Sequence, residues 1–128
     1  MKELVLLYNI DSIDLGKRIP LSCVQCGIQM KKVSPEEYKV PMGFLALGSK
    51  EDQEAYHVKK EEMVSFPEPM MVLVGFTGPR MNQFLNQMRT NKAPYIGLKA
   101  ALTETNAEWD SIQLHDEIAK EHQAMKKR

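Results

Sequence analysis

The chain starts the same pattern twice, and this repetition constrains its fold more than any other feature. Leu4-Val5-Leu6-Leu7-Tyr8-Asn9 is a short apolar run, followed by a helix-like stretch and a strand-like segment that starts at Ile28. Met71-Val72-Leu73-Val74-Gly75-Phe76 is a second such run, followed by a clearer helical stretch and a strand-like segment that starts at Tyr95. The separation is 24 residues in both cases. A strand, a helix and a further strand in succession form a crossover that lays the two strands parallel. Two such units predict an α/β domain of two βαβα halves, sharing one mostly parallel four-stranded sheet with helices on both faces.

The composition of the strands orders them. Residues 4–8 and 71–74 are apolar at consecutive positions, the pattern of strands buried on both faces. Residues 28–33 mix apolar positions with Gln29, Lys31 and Lys32, which suits an edge; the fourth strand is expected at about 95–102. The order 2-1-3-4 follows. A ferredoxin-like α+β sheet is the alternative, and it needs strands where the periodicity reads as helix.

With 128 residues, 43% of them hydrophobic, the chain suits a single domain, 1–128, with a sizeable core. Its halves are expected at about 1–48 and 66–128, joined by the polar segment 49–65. In the first half, Asp11 or Ser12 caps a helix whose apolar face is Ile13, Leu15, Ile19, Cys23, Val24 and Cys26. Pro20 should kink or break it near Ile19, and Gly27 should end it. Residues 34–37 read as a loop or single turn, and 41–48 as a short helix with proline near its start and glycine after its end. In the second half, Thr77 or Gly78 caps a helix that buries Met81, Phe84, Leu85 and Met88 at i, i+3, i+4 and i+7. Thr105 and Glu108 have the spacing of a capping box. The helix after it should bury Trp109, Ile112, Leu114, Ile118 and Met125.

Composition also excludes classes of function. Seventeen basic and seventeen acidic residues give no net charge, which argues against a nucleic-acid partner. The run Lys126-Lys127-Arg128 reads as a solvated helix end. The first apolar run stops at Asn9, too short for a signal peptide, and no stretch has the roughly 18 apolar residues of a membrane span. Two cysteines do not make a disulfide scaffold. A cytoplasmic protein without a membrane partner is the expectation. The methionines in apolar patterns (Met70, Met71, Met81, Met88) read as core filler.

The segment Leu98-Lys99-Ala100-Ala101-Leu102-Thr103-Glu104-Thr105-Asn106, with Trp109, Leu114, Glu121 and His122 after it, resembles a small bacterial family of uncharacterised proteins. Members carry a similar LKAxLTxTNxxW signature after a strand–helix unit like residues 69–90. Likeness in the first half is looser, through Glu36-Glu37-Tyr38 and Gly43-Phe44-Leu45-Ala46. The family is a domain of unknown function, so the resemblance implies no activity, cofactor or catalytic residue.

Four constellations are candidates for a site. In a parallel sheet of order 2-1-3-4, a ligand belongs in the crevice beyond the carboxyl ends of strands one and three. Asn9, Asp11 and Ser12 would line it from one half, and Gly75, Thr77, Gly78 and Arg80 from the other. Free amides at the helix start with Arg80 could hold an anion, although caps and turns explain the same residues and the glycines lack a phosphate-loop lysine. Cys23-Val24-Gln25-Cys26 is a C-x-x-C pair, but at a helix C-terminal end, where the dipole opposes a thiolate. Zinc would need two further ligands. His115 and His122 lie seven apart, not the three or four that co-ligation favours. Thr103 and Asn106 could line a pocket at the end of strand four, with Trp109 as an anchor. No metal or cofactor set is complete. The expectation is a non-catalytic binding or regulatory module at the strand carboxyl edge. The alternatives are a small enzyme acting on an anionic substrate through Asp11, Arg80 or a cysteine, and a C-x-x-C redox protein.

Overall fold

The computed structural model describes residues 3–126; Lys127 and Arg128 of the basic run lie outside the described residues. Four strands, β1 (Leu4–Tyr8), β2 (Gln29–Lys32), β3 (Met70–Val74) and β4 (Leu98–Ala101), form one sheet in the order β2-β1-β3-β4. Five helices accompany them: α1 (Arg18–Gln25), α2 (Met42–Leu47), α3 (Lys50–Glu54), α4 (Gly78–Thr90) and α5 (Ser111–Lys126). The order and the α/β class match the expectation, and so do the two central strands, since β1 and β3 bury nearly every side chain.

The central pairing differs from the expectation. β1 runs parallel to β2 and β3 runs parallel to β4, but β1 and β3 are antiparallel, with Leu4 opposite Val74 and Tyr8 opposite Met70. Each crossover fixes the direction of its own pair only. The segment between the halves is long enough to return the chain either way, so an apolar pattern cannot orient β3 against β1. The equal spacing also loosens in the register. Leu4 pairs with Gln29, 25 positions on, whereas Met70 pairs with Leu98, 28 positions on.

Alternation along β1 and β3 divides the core. Leu6, Tyr8, Met70, Val72 and Val74 point to one face, which α2 and α5 cover with Met42, Leu45, Leu114 and Ile118. Val5, Leu7, Met71 and Leu73 point to the other, which α1 and α4 cover with Ile19, Cys23, Phe84 and Met88. The first helix of each half thus lies on one face and the later helices on the other. Met125, expected inside, is 70% exposed, because α5 outruns the sheet.

Pro20 does not kink α1. The helix begins late, at Arg18, so Pro20 sits in its first turn, where the amide has no intrahelical acceptor to lose. A single 3-10 turn, Ile10–Ser12, and a tight turn through Gly16 precede it; a Cβ on Gly16 would collide with the Ile10 carbonyl. Val24, expected inside, is 70% exposed, and Ser22 is buried in its place. The expected Thr105 capping box is absent. Thr105 caps nothing, and α5 begins later, where Asp110 accepts from the Gln113 amide at 2.8 Å.

Candidate binding groove

Antiparallel pairing dissolves the crevice expected between β1 and β3. The carboxyl end of β1 lies beside the start of β3, so Asn9, Asp11 and Ser12 are at one end of the sheet and Thr77, Gly78 and Arg80 at the other. Each group has a structural partner. The Asn9 amide donates to the Phe66 and Glu68 carbonyls at 2.7 and 3.0 Å, tying down the chain that enters β3. Asp11 pairs with Lys32 at 3.0 Å, and the Ser12 hydroxyl donates to the Asn9 carbonyl. These residues line a shallow depression of about 300 Å³ with Lys32 and Ser34.

At the far end, Thr77 caps α4 by accepting from the Arg80 amide, and Gly78 opens the helix. The Arg80 guanidinium meets Glu3 through two hydrogen bonds, of 2.7 and 2.6 Å, and donates to the Cys26 carbonyl at 2.8 Å. Arg80 therefore closes the C-terminal end of α1 and clamps the chain before β1. That hydrogen bonding holds the Glu3 carboxyl below its ordinary range. Asp11 and Arg80, the pair on which an anion-processing site would depend, do not meet.

The other candidates also have structural explanations. Cys23 is buried on the α1 face, and burial pushes its thiol up to about 12, with Cys26 adding to the shift, so it is not a thiolate near neutral pH. His115 is buried. Its ring stacks on Phe66 at 4.0 Å, and its two nitrogens face Glu68 at 3.2 Å and Asp116 at 3.0 Å. His122 lies against Gly97, where a Cβ would come within 3.2 Å of the ring. Among the described residues, no group of three or more His, Cys, Asp or Glu is placed to hold a metal ion. Likewise, no described helix is long and apolar enough to cross a membrane.

A broad concavity lies on the α2–α5 face. Pro41, Gly43, Phe44 and Leu47 of α2 and its flank, Asp52 of α3, Tyr56, and Ala107 with Glu108 line an open groove of about 610 Å³. The Phe44 and Tyr56 rings meet at 5.9 Å and an angle of 56°. Leu47 is 63% exposed at the rim. The sequence does carry a signal for it. α2 is apolar or small at every position, yet a six-residue helix on a surface buries one side only. One apolar side is therefore left over.

Both walls are held firmly. Gly48 ends α2 where a Cβ would lie 2.8 Å from the Phe44 carbonyl, so the chain turns directly into α3. There Ser49 accepts from the Asp52 amide while Asp52 accepts from the Ser49 amide, each at 3.1 Å. In the opposite wall, Thr103 and Asn106 form a reciprocal box. The Thr103 amide donates to Asn106 Oδ1 at 2.8 Å, and the Asn106 amide donates to Thr103 Oγ1 at 3.1 Å. Asn106 also donates to the Ala101 carbonyl, which ties the 3-10 turn Asn106–Glu108 to the end of β4. Beneath the groove, the Met42 amide donates to the Trp109 carbonyl at 2.8 Å, and the Ser111 amide to Tyr38. The buried Tyr8 hydroxyl, raised in pKa by that burial, shares a 2.7 Å hydrogen bond with Ser111. Thr103, Asn106 and Trp109 thus act as supports of the groove and do not line it.

These features define a mixed-sheet α/β domain with helices on both faces and its larger groove on the α2–α5 face. Residues 69–125 match the family model described as a domain of unknown function (DUF3783). The match spans β3, α4, β4 and nearly all of α5. It therefore includes the Ala107–Glu108 wall of the groove and leaves out the α2–α3 wall. No curated protein and no solved structure matches the chain.

Proposed function

We propose that the protein is a non-catalytic binding module and that its ligand occupies the groove between α2, α3 and the Asn106–Glu108 turn. One observation carries this reading: Phe44, Leu47 and Tyr56 remain exposed around a single concavity of about 610 Å³. Its volume falls in the range of ligand sites, and clustered exposed apolar side chains are what a partner covers. Among the described residues lining it are two carboxylates, Asp52 and Glu108, and no His, Cys, Ser or Lys. Of the two, Asp52 is committed to the start of α3, where it accepts from the Ser49 amide.

A thermal-shift screen of metabolites and short peptides, run on the native chain and on Leu47→Gln, tests the reading. A groove ligand at a hundredfold excess over its Kd adds about 2.7 kcal/mol of stability, which raises Tm in the native chain and much less in Leu47→Gln. Hits that stabilise both chains equally would place binding elsewhere and sink the reading.

A further inference from the structure

Resting on that reading, we propose that the groove's occupant is a basic peptide segment of a partner protein, laying an apolar side chain against Leu47 and the Phe44–Tyr56 ring pair. Charge complementarity selects it. The apolar floor is bordered by Asp52 on one wall and Glu108 on the other, with no basic side chain among the described lining residues. Lys50, the base of α3, turns to Glu54 at 3.8 Å. The sequence around the Glu108 wall is acidic as well, with Glu104 and Asp110 beside it.

A peptide lysine or arginine entering here would meet two carboxylates and the faces of two aromatic rings, which attract cations. Neighbouring apolar side chains would displace water from Leu47 and Phe44. The shape favours a segment over a free metabolite, since the groove is open along one side and small-molecule sites usually enclose most of their ligand. Phosphate-rich partners, nucleic acid or an anionic membrane surface, would be repelled by the same carboxylates.

Fluorescence anisotropy tests this with three labelled peptides of equal length: alternating leucine and lysine, the same with glutamine for lysine, and the same with glutamate for lysine. The basic peptide is expected to bind at least about tenfold tighter than the neutral one, a difference of about 1.4 kcal/mol. That preference should collapse at high salt and in the Asp52→Asn, Glu108→Gln double variant, whose side chains keep their size and whose folding a thermal melt checks. Loss of all binding in Leu47→Gln places the peptide in the groove. Equal binding of basic and neutral peptides overturns the basic occupant and leaves the groove reading intact. So does a metabolite from the thermal screen that moves the amide resonances of Phe44, Leu47 and Tyr56 when no peptide moves them. Concentration-dependent dimerisation lost in Leu47→Gln would make the occupant a second copy, which also overturns it. If neither peptide nor metabolite nor self-association perturbs those resonances, both readings fall.

Discussion

The two faces of the sheet solve the same burial problem differently. On the α1–α4 face, polar side chains interlock between the helices. Arg18 donates to the Asn91 carbonyl at 3.1 Å, the Asn91 amide reaches Ser22 and Gln25 at 2.8 and 2.7 Å, and Gln87 meets Gln25 at 2.8 Å. Arg80 closes the far end through Glu3 and Cys26. On the opposite face, α5 covers β4 but α2 is a single short helix, and its outer apolar side faces water. Polar side chains tie α1 to α4 on one face, whereas on the other an apolar groove is left beside α2.

The sharpest way to break that comparison is to truncate one residue on each face. Phe84 is fully buried on the inner side of α4, 6.0 Å from the Phe76 ring, so Phe84→Ala should cost about 3–5 kcal/mol of unfolding free energy in urea. Leu47→Ala should change stability by no more than about 0.5 kcal/mol and still weaken groove binding. A large stability loss from Leu47→Ala would mean that the α2 surface belongs to the core, and the contrast between faces would disappear.

A smaller effect sharpens the account of the grooved face. Tyr38 is buried in a stack with Phe66 at 4.7 Å, and among the described residues its hydroxyl is the buried side-chain atom without a hydrogen-bond partner. Burial pushes this phenol up, and the nearby Asn9 side chain opposes the shift in smaller part; both Asn9 N–H groups serve the Phe66 and Glu68 carbonyls. An unsatisfied buried polar group costs about 1–3 kcal/mol. Tyr38→Phe keeps the ring and removes the penalty, so it should stabilise the protein by about 1 kcal/mol. Destabilisation of that size would show that the hydroxyl has a partner after all.

Much of this architecture is legible in the residues. The unbroken apolar runs of β1 and β3, the lysines of β2 and the i, i+3, i+4, i+7 face of α4 each encode burial, and burial fixed the strand order and the helix faces. Direction is another matter. Nothing in Leu4–Tyr8 or Met70–Val74 distinguishes a parallel neighbour from an antiparallel one, so the crevice built on that assumption paired residues from opposite ends of the sheet. Arg80 illustrates the same gap. Its charge and its place near a helix start suggested an anion, but the anion is Glu3, 77 positions away in sequence. The groove is hard to see in the residues because its walls, 41–56 and 107–108, lie far apart in sequence, and each has a local explanation as a short helix, a polar segment or a cap. The Thr103–Asn106 box is the converse case. The resemblance marked the segment, and the geometry gives it a structural reason, that of pinning the turn behind the groove.

The halves themselves provide the finest comparison. α1 and α4 end in the same geometry, with the Ile28 amide donating to Cys23 and the Ala93 amide to Met88, each reaching back five residues. Such an ending needs one left-handed residue just past the helix. The first half uses Gly27, with φ 69°, and the second uses Lys92, with φ 54°. A side chain in that conformation costs about 1–2 kcal/mol, and glycine avoids the cost while losing some chain entropy on folding. Lys92→Gly should therefore stabilise the protein by about 0.5–1 kcal/mol. Gly27→Ala should destabilise it by a similar amount even though open space surrounds the new Cβ, since the cost lies in the backbone. Both shifts are readable in matched urea melts, and equal signs would show that the two helix ends are not equivalent. Opposite signs would mean that the repeat extends to the backbone torsions where each crossover helix stops.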